Sequence, residues 1–501
     1  MQFHTGTRSM RFLLDTNILI PLEDSQIPLR RPLADFVRLA HENGHHLLYH
    51  PASEDDIRQD GETLRREQTL NRLLQYTRLD DTTICPWNDG VTNRNDFCDN
   101  RILYSLKCDA AHALVTEDRV IHQKAKRLGL GHRVYYIQTA ETWLRQLYER
   151  VSVKLPNIEE TALSNLNPLL PTTFFESLRD AYPGFDEWFG RKARNGNRAW
   201  VTWEAPGILG AICIFDIQQN QVVTEDGLTL EQKALKLCTF KVGPAVRGRK
   251  IGELFLKVAF HYASLNSLEN IFIHGDSKAH QFLFDLLDDF GFAFVGTHPG
   301  SNGRDAVYVK RHPIVAPTTL DKPFFYLRKF FPHFRSDQEV SKFIVPIRPT
   351  FHEILFPDYE HPEGHQNLLF QWHNPTGNAI KLAYLSHAPI VNIPSGSIVL
   401  FYRSQDHRVI SSIGVVEDYQ NLSDASRIAQ MVSRRTVYSM QDIEVIANKP
   451  TKVMLFRHVK HFRTPVSHNW IEENKILDGN FQTIRAIDER AFSRIYEQGN
   501  R

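Results

Sequence analysis

Short apolar stretches that end in an acidic residue are the feature that most constrains the fold of this 501-residue chain. The sequence RFLLDTN places Asp15 directly after one apolar run, and ALVTED places Asp118 after another. Between such runs, residues 10–150 have the pattern of amphipathic helices. The alternation predicts a parallel α/β sheet, in which the carboxyl ends of the strands meet at one edge and form a ligand site.

The chain is too long for one hydrophobic core, so we predict an α/β multidomain protein. Its segments are a parallel α/β domain over 10–150, a mixed α/β domain over 155–313, an aromatic and basic joint over 314–344, and a small β-barrel over 345–501. The joint contains KPFFYLRKFFPHFR. Its aromatic side chains are costly to expose, which favours packing between domains over RNA binding.

The composition excludes several classes of protein. With 59 basic and 58 acidic residues the net charge is +1, so nucleic-acid binding would depend on local basic patches. The five cysteines contain no CxxC pair, which argues against a disulfide framework and a zinc knuckle. No apolar run approaches the roughly 20 residues that cross a bilayer, and the first nine residues lack an apolar signal region. We therefore expect a cytoplasmic protein without a membrane segment.

Further acidic residues stand where helices are expected to begin. Asp56 lies in PASEDD, and Asp96 and Asp99 lie in NDFCDN. Carboxylates gathered in one pocket resist ionising together unless a hard cation such as Mg²⁺ or Mn²⁺ neutralises them. A single acid of this kind is often a turn residue or a helix cap. The agreement of all of them with the strand pattern favours a metal site.

These residues resemble the PIN-domain family of metal-dependent ribonucleases, over nearly all of residues 10–150. The resemblance implies metal-binding acids at Asp15, Asp56, Asp99 and Asp118, with Asp96 and Glu54 in reserve and the hydroxyls of Thr16 and Thr116 beside the metal. The second acid stays open, because Glu54, Asp55 and Asp56 are consecutive. The resemblance also implies hydrolysis of RNA by a metal-bound water.

A turn rich in glycine and arginine follows a predicted strand in the second domain. The sequence KVGPAVRGRKIG precedes a helical stretch, and amide groups at a helix N-terminus beside cations form a pyrophosphate site. It resembles the acetyl-CoA signature of the GNAT acyltransferases, and DLLDDFGFAFVG resembles the last helix and strand of that family. The resemblance implies acetyl-CoA binding by Val242, Arg247, Gly248, Arg249, Lys250, Ile251 and Gly252.

Two positions depart from the GNAT pattern. Lys250 replaces the central glycine of the loop, which loosens the approach of the backbone to a pyrophosphate, although the ammonium group would attract it. Leu287 stands where the family commonly has the tyrosine that protonates the departing thiolate. The candidate substitutes are His274, His280 and Tyr308, and a lone histidine near a strand end is more often structural.

The segment 345–501 resembles ASCH and other PUA-like small barrels in its strand order and in the strand GSIVLFYRS. Such barrels bind RNA or modified nucleotides, and basic and aromatic residues also alternate in KPTKVMLFRHVKHFR. The predicted RNA-binding residues are Lys381, at the position of a cleft lysine, and Lys452, Arg457, Lys460 and Arg463. The alternative is a core strand whose alternate residues are solvated bases.

Three functions stay open. The first is a metal-dependent endoribonuclease joined to acetyl-CoA-binding and RNA-binding modules, in the manner of bacterial toxin-like, stress or defence proteins. The second is an N-acetyltransferase that acts on protein, tRNA or an aminoacyl group, with the PIN-like domain only binding RNA. The third is a non-catalytic RNA-binding sensor that responds to acyl-CoA. The intact acid set, against two departures in the loop, favours the nuclease, and we expect a homodimer.

Overall fold

The computed structural model describes residues 9–23, 31–59, 61–80, 84–149, 158–243, 246, 250–276, 280–356, 359, 379–433, 435 and 438–501. Residue contacts divide the chain into two compact units. The first unit comprises Met1–Ser152, Leu385–His387 and Asn421–Val453, and the second comprises Val153–Tyr384, Ala388–Gln420 and Met454–Arg501. The segment 421–453, which the sequence assigns to the C-terminal domain, therefore belongs to the first unit. The four predicted segments stay a prediction.

The secondary structure alternates helices and strands along most of the described chain. The helices are α1 (Thr16–Glu23), α2 (Arg31–Glu42), α3 (Pro51–Ile57), α4 (Thr63–Leu73), α5 (Arg94–Lys107), α6 (Arg119–Arg127), α7 (Ile137–Tyr148), α8 (Glu176–Ala181), α9 (Phe185–Arg194), α10 (Ile251–Leu265), α11 (Gln281–Asp289), α12 (Pro323–Phe330), α13 (Pro349–Leu355), α14 (Ala425–Val432), α15 (Met440–Ile446), α16 (His468–Glu473) and α17 (Glu489–Gly499). The strands are β1 (Arg11–Leu14), β2 (His46–Tyr49), β3 (Thr77–Arg78), β4 (Ala113–Val115), β5 (Val134–Tyr135), β6 (Glu159–Ala162), β7 (Arg198–Ala205), β8 (Ile208–Gln218), β9 (Gln221–Val222), β10 (Thr229–Leu230), β11 (Ala234–Val242), β12 (Asn270–Asp276), β13 (Ala293–Thr297), β14 (Asp305–Arg311), β15 (Lys342–Ile347), β16 (Lys381–Ser386), β17 (Ile398–Arg403), β18 (Val409–Leu422), β19 (Thr451–Ser467) and β20 (Arg485–Ile487).

The first unit contains a parallel sheet with the strand order β3-β2-β1-β4-β5 in its described residues. Successive residues of β1, from Phe12 to Leu14, are all buried. This is expected of a parallel strand that is covered on both faces by helices, where apolar residues need not alternate with polar ones. Leu13 packs with Ile102 and Leu103 of α5. The predicted parallel α/β sheet is confirmed.

The second unit contains a mixed sheet with the order β13-β14-β12-β11-β8-β7-β6. Strands β11 and β12, at its centre, are parallel, and their other neighbours are antiparallel to them. Helices α10 and α11 pack on one face, where Leu237 and Ile273 share a core with Phe255 and Leu287. The predicted mixed α/β arrangement is confirmed, and the crossover between β11 and β12 is the helix α10 that follows the glycine- and arginine-containing turn.

A second sheet of this unit differs from the predicted barrel. Its order is β16-β19-β18-β17-β15-β20, with β15 parallel to β17 and antiparallel to β20. Closing a barrel requires hydrogen bonds between the two outermost strands, and in the described residues β16 and β20 are not neighbours. The small closed barrel is therefore corrected to an open six-stranded sheet in the part of the chain that the structure describes.

The aromatic and basic joint lies inside the second unit. Helix α12 buries Tyr326, Leu327 and Phe330, and Phe331 follows in the same core as Leu327. Burial of these side chains agrees with the predicted packing role. Among the described residues, no helix combines the length and the apolar character that a membrane crossing needs.

Candidate functional sites

The carboxyl ends of β1 and β4 meet at one edge of the first sheet, because the two strands are parallel neighbours. Asp15 follows β1 and is only 7% exposed. Its Oδ2 accepts hydrogen bonds from the Thr116 hydroxyl at 2.6 Å and the Asn17 amide at 2.8 Å, and its Oδ1 accepts from the Thr16 backbone N–H at 2.8 Å. Burial raises the pKa of Asp15 to about 6, and the charges of Asp118 and Asp99 act in the same direction. These three predicted acids therefore lie close enough to influence one another.

Lysine 124 holds two acids of this cluster. Lys124 lies one turn inside α6, and its Nζ is 2.6 Å from Asp96 Oδ1 and 3.0 Å from Asp99 Oδ2. Asp118, six residues earlier, caps α6 by accepting the Val120 N–H at 2.6 Å. The ammonium group of Lys124 thus stands between carboxylates that the sequence analysis assigns to a metal.

The structure does not bring Asp56 into this cluster by any contact. Asp56 lies on α3, and its Oδ1 is 3.8 Å from an Arg94 nitrogen. Glu54, the reserve residue, accepts hydrogen bonds from Arg58 at 2.5 Å and Arg78 at 3.0 Å. The open choice between Glu54 and its two neighbours is therefore not decided by proximity to Asp15.

As they lie in the structure, these side chains do not fit a divalent cation. Mg²⁺ and Mn²⁺ need several oxygen ligands with free lone pairs. Among the described residues there is no group of three His, Cys, Asp or Glu side chains that could hold a metal ion. Lys124 supplies the positive charge at Asp96 and Asp99, and neutral donors surround Asp15. The Mg²⁺ or Mn²⁺ site stays a prediction, and we derive no hydrolytic step from it.

The second candidate site lies where β11 and β12 part. The two strands pair from Ala234–Asn270 to Leu237–Ile273 and no further. Both continue, β11 to Val242 alongside β8 and β12 to Asp276 alongside β14. An irregularity in the register between Leu237 and Thr239 marks the point of divergence. Beyond it, the described pairing of Thr239–Val242 is with β8, so β11 and β12 diverge, and we call the gap between them the cleft.

A left-handed residue and the N-terminus of a long helix lie at the end of this cleft. Lys250 has φ 56° and ψ 22°, and α10 begins at the next residue. Only glycine adopts this conformation without strain, which explains why a glycine is usual at this position of the motif. The first amide groups of an α-helix have no partner within the helix, so the start of α10 offers donors that can bind an anion. Arg247, Gly248 and Arg249 lie outside the described residues.

The other predicted residues of the turn have defined packing roles. The Lys250 ammonium donates to the backbone carbonyl of Lys381 at 3.1 Å. A Cβ on Gly252 would approach Leu286 Cδ2 to 2.9 Å, so the glycine allows α11 to pack close to the start of α10. Ile251 is buried, and Val242 is half-buried at the end of β11.

Of the residues considered for proton transfer, His274 directly follows the point of divergence along β12, and Tyr308 lies opposite Ile273 on β14. Leu287 is fully buried in the core, and Tyr308 stacks on Phe284 with ring centroids 4.6 Å apart. His274 follows Ile273, the last β12 residue that pairs with β11, and its Nδ1 is 3.3 Å from Asp305 Oδ2. Sequence reasoning missed Asp305. The signal was present, because HPGSNGRD is a polar stretch between two apolar strands.

The predicted RNA-binding residues do not form one exposed surface. Arg457 is 1% exposed, and its guanidinium donates to Asp289 Oδ1 at 2.8 Å and to the Asp289 carbonyl at 2.9 Å. It also lies 5.1 Å from the ring centre of Phe290 and 5.2 Å from that of Phe324. Its assignment to an RNA surface is corrected, because a fully desolvated guanidinium that is paired with a carboxylate does not reach a phosphate.

The remaining basic residues differ in exposure. Lys381 pairs with the same Asp289 carboxylate. Lys460 donates to Asn500 at 2.6 Å and Tyr496 at 3.1 Å. Lys452 is half-buried and Arg463 is exposed. RNA binding by this strand stays a prediction.

Three comparisons with known proteins were made. No protein-family model matches the chain, and no curated protein matches it. Among solved structures it is similar to NAA60 of Arabidopsis thaliana with acetyl-CoA (16% identity, 31% of this chain and 99% of that one, TM-score 0.24). It is also similar to the PaiA N-acetyltransferase of Thermoplasma acidophilum with coenzyme A (16%, 31% and 99%, TM-score 0.22) and to ASCH of Zymomonas mobilis (9%, 31% and 94%, TM-score 0.24). Such low scores establish neither the fold nor the activity of this chain.

Proposed function

We propose that the second unit is an acyl-CoA-dependent N-acyltransferase with acetyl-CoA as the donor. The observation that carries the proposal is the parting of β11 and β12 after Leu237, followed along the chain by the left-handed residue Lys250 and a 15-residue helix. An extended thioester needs a groove lined by backbone donors, and a pyrophosphate needs amide groups and cations at one end of it. The diverging strands and the start of α10 support such a groove, and the motif KVGPAVRGRKIG contains the cations in its sequence.

The residues of this chain have separate tasks in that reaction. The first amide groups of α10, with Arg247 and Arg249 of the predicted motif, would neutralise the pyrophosphate. The backbone of Thr239–Val242, on the side of β11 that faces away from β8, would hydrogen-bond the pantetheine arm and polarise the thioester carbonyl. Acetyl-CoA supplies an activated acyl group, and the acceptor is an amine of a protein, a tRNA or an aminoacyl group.

Calorimetric titration of the full chain with acetyl-CoA tests the proposal. We expect saturable binding that weakens at least tenfold in the double variant Arg247→Ala with Arg249→Ala, which removes two charges near the phosphates. Arg191→Ala, an exposed arginine on α9, is the matched control and should bind like the unchanged chain. Lack of binding by the unchanged chain would contradict the proposal, and binding without any acyl transfer would favour the sensor.

The geometry gives the ribonuclease predicted for the first unit less support, because the Lys124 ammonium already pairs with Asp96 and Asp99. The ribonuclease prediction has a separate test, in which the full chain is incubated with total RNA and Mn²⁺ or Mg²⁺. Cleavage that disappears with EDTA and in Asp15→Asn would support it. RNA binding and a homodimer likewise stay predictions.

A further inference from the structure

A cluster of polar side chains lies at the carboxyl end of β12, on the rim of the cleft. Asp305 begins β14 and is 4% exposed. One of its oxygens lies 3.3 Å from Nδ1 of His274, and the other accepts from Arg304 Nε at 2.9 Å. The Asp305 carboxylate therefore holds two partners, and its hydrogen bond from His274 together with Arg304 lowers its pKa to about 2. It is ionised at every physiological pH.

An ionised Asp305 fixes the tautomer of His274. Since a carboxylate only accepts hydrogen bonds, the ring proton of neutral His274 lies on Nδ1, and the lone pair lies on Nε2. The described residues give Nε2 no hydrogen-bond partner, and the His274 side chain is 22% exposed. The ring of His298 stacks on it at 3.7 Å between centroids and limits its rotation. The imidazole is thus oriented, and its side chain is partly exposed.

Three separate stretches of chain meet around this imidazole. The hydroxyl of Tyr182, at the end of α8, lies 3.4 Å from the backbone nitrogen of Asp276 and 3.4 Å from Nε2 of His280. The guanidinium of Arg304 lies over the Tyr182 ring at 5.2 Å. A hydroxyl and several imidazoles on the rim of a cleft are groups that orient an amine by hydrogen bonds.

We propose that His274 is the general base that deprotonates the acceptor amine, and that Asp305 is its positioning residue. The inference rests on the proposed acyltransferase function. The amine nitrogen attacks the thioester carbonyl, forming the C–N bond, and the C–S bond breaks. The proton of the attacking nitrogen passes to Nε2 of His274, which later releases it to solvent, and the CoA thiolate takes a proton from water.

The charges that face His274 keep it in the basic form. Burial lowers the pKa of His274, and Lys236 and Arg304 act in the same direction, against the hydrogen bond with Asp305. The neighbouring His298 also has its pKa lowered, to about 4, chiefly by burial. Since a lowered pKa leaves the imidazole neutral at pH 7, kcat/KM should be constant near neutrality and fall only below the ordinary histidine value of about 6.5.

The experiment follows release of CoA thiol from acetyl-CoA by the full chain, with water and then glycinamide as the acceptor probe. We expect His274→Ala to lose about 100-fold or more in kcat, the usual contribution of a general base, while it binds acetyl-CoA within twofold of the unchanged chain. Added imidazole should restore part of the rate. His41→Ala, an exposed histidine on α2, is the matched control and should keep the full rate.

Asp305→Asn separates positioning from simple structural support. We expect a smaller loss of kcat than in His274→Ala, an unchanged KM and a shifted acid limb of the pH profile, since the neutral amide no longer fixes the tautomer. A His274→Ala variant that binds acetyl-CoA and keeps more than half the rate would overturn the inference. So would an unchanged chain that binds acetyl-CoA and releases no thiol above the buffer rate. Lack of acetyl-CoA binding would instead overturn the proposed function itself.

Discussion

Two buried carboxylates, one in each unit, have pKa values that are shifted in opposite directions. Asp15 is 7% exposed and Asp305 is 4% exposed. Burial raises the pKa of Asp15 to about 6, whereas its contacts with His274 and Arg304 lower the pKa of Asp305 to about 2. The partners of Asp15 are a hydroxyl and amides, and those of Asp305 are an arginine and an imidazole. The charge of a buried acid is therefore set by what it pairs with.

The comparison predicts that a buried charge without its partner is costly, and Asp289→Ala tests the strongest case. This change removes the closer carboxylate partner of the buried Arg457 guanidinium and leaves the carboxylate of Glu417 at 3.4 Å and the backbone carbonyl of residue 289. We expect the free energy of unfolding of the full chain to fall by about 3 kcal/mol in urea denaturation. Glu339→Ala is the control, since Glu339 pairs with Arg335 at 78% exposure and should cost about 0–1 kcal/mol. Equal effects of the two changes would contradict the comparison.

Asp305→Asn and Asp15→Asn should lower the stability at pH 7 by different amounts. Asp305→Asn removes the charge that Arg304 and His274 contact, and since Arg304 is half-exposed we expect a loss of about 1–2 kcal/mol. Asp15→Asn removes a carboxylate that burial disfavours, so its loss should be smaller or absent. Amide hydrogen exchange in β14 and β1 measures the two effects locally. Similar losses of stability in Asp305→Asn and Asp15→Asn would show that the hydrogen bonds of these side chains contribute more to stability than their charges do.

The pH dependence of the first unit isolates the raised pKa of Asp15. Between the unfolded value of 3.8 and the folded value of about 6, the folded state binds a proton that the unfolded state lacks. Lowering the pH from 7 to 5 should therefore stabilise the first unit by about 1 kcal/mol through this group. His45 and His112, whose pKa values burial lowers to about 4, act in the opposite direction.

Hydrogen exchange in β1 and β4 therefore measures the local opening free energy at pH 7 and at pH 5. The quantity to compare is its change between the two pH values, in the unchanged chain and in Asp15→Asn. The exposed Asp55→Asn is the matched control and should leave the pH dependence intact. A bound cation would keep Asp15 ionised. The stabilisation on lowering the pH would then be absent or reversed in the unchanged chain, which would contradict the prediction.

The smallest expected effect concerns Lys124. Removing its ammonium in Lys124→Ala frees Asp96 and Asp99, and we expect weak Mn²⁺ binding in the variant but not in the unchanged chain, measured by electron paramagnetic resonance of Mn²⁺. The stability should change by about 1 kcal/mol or less, because the pair is partly exposed. Tight binding by the unchanged chain would restore the metal-site prediction.

The sequence predicted those features of the fold and sites that depend on local pattern. The apolar runs before Asp15 and Asp118 indicated neighbouring parallel strands, and the turn before α10 indicated a strand followed by a helix. Ion pairs between residues that are distant in the chain could not be predicted from local pattern. Arg457 and Asp289 are 168 positions apart, so a basic residue in an alternating strand looked exposed. Lys124 and Asp99 are 25 positions apart, on different helices.

The backbone of Lys381 is held from both sides by the start of α10. Its N–H donates to Glu253 at 2.6 Å, and its carbonyl accepts from the Lys250 ammonium at 3.1 Å. A protease cut or a stop codon before β16 would remove this clamp and would also strip Asp289 of Lys381 and Arg457. Anyone who wishes to isolate the cleft should therefore keep the last strands of the chain, and any exchange of modules between such proteins would have to carry both sheets together.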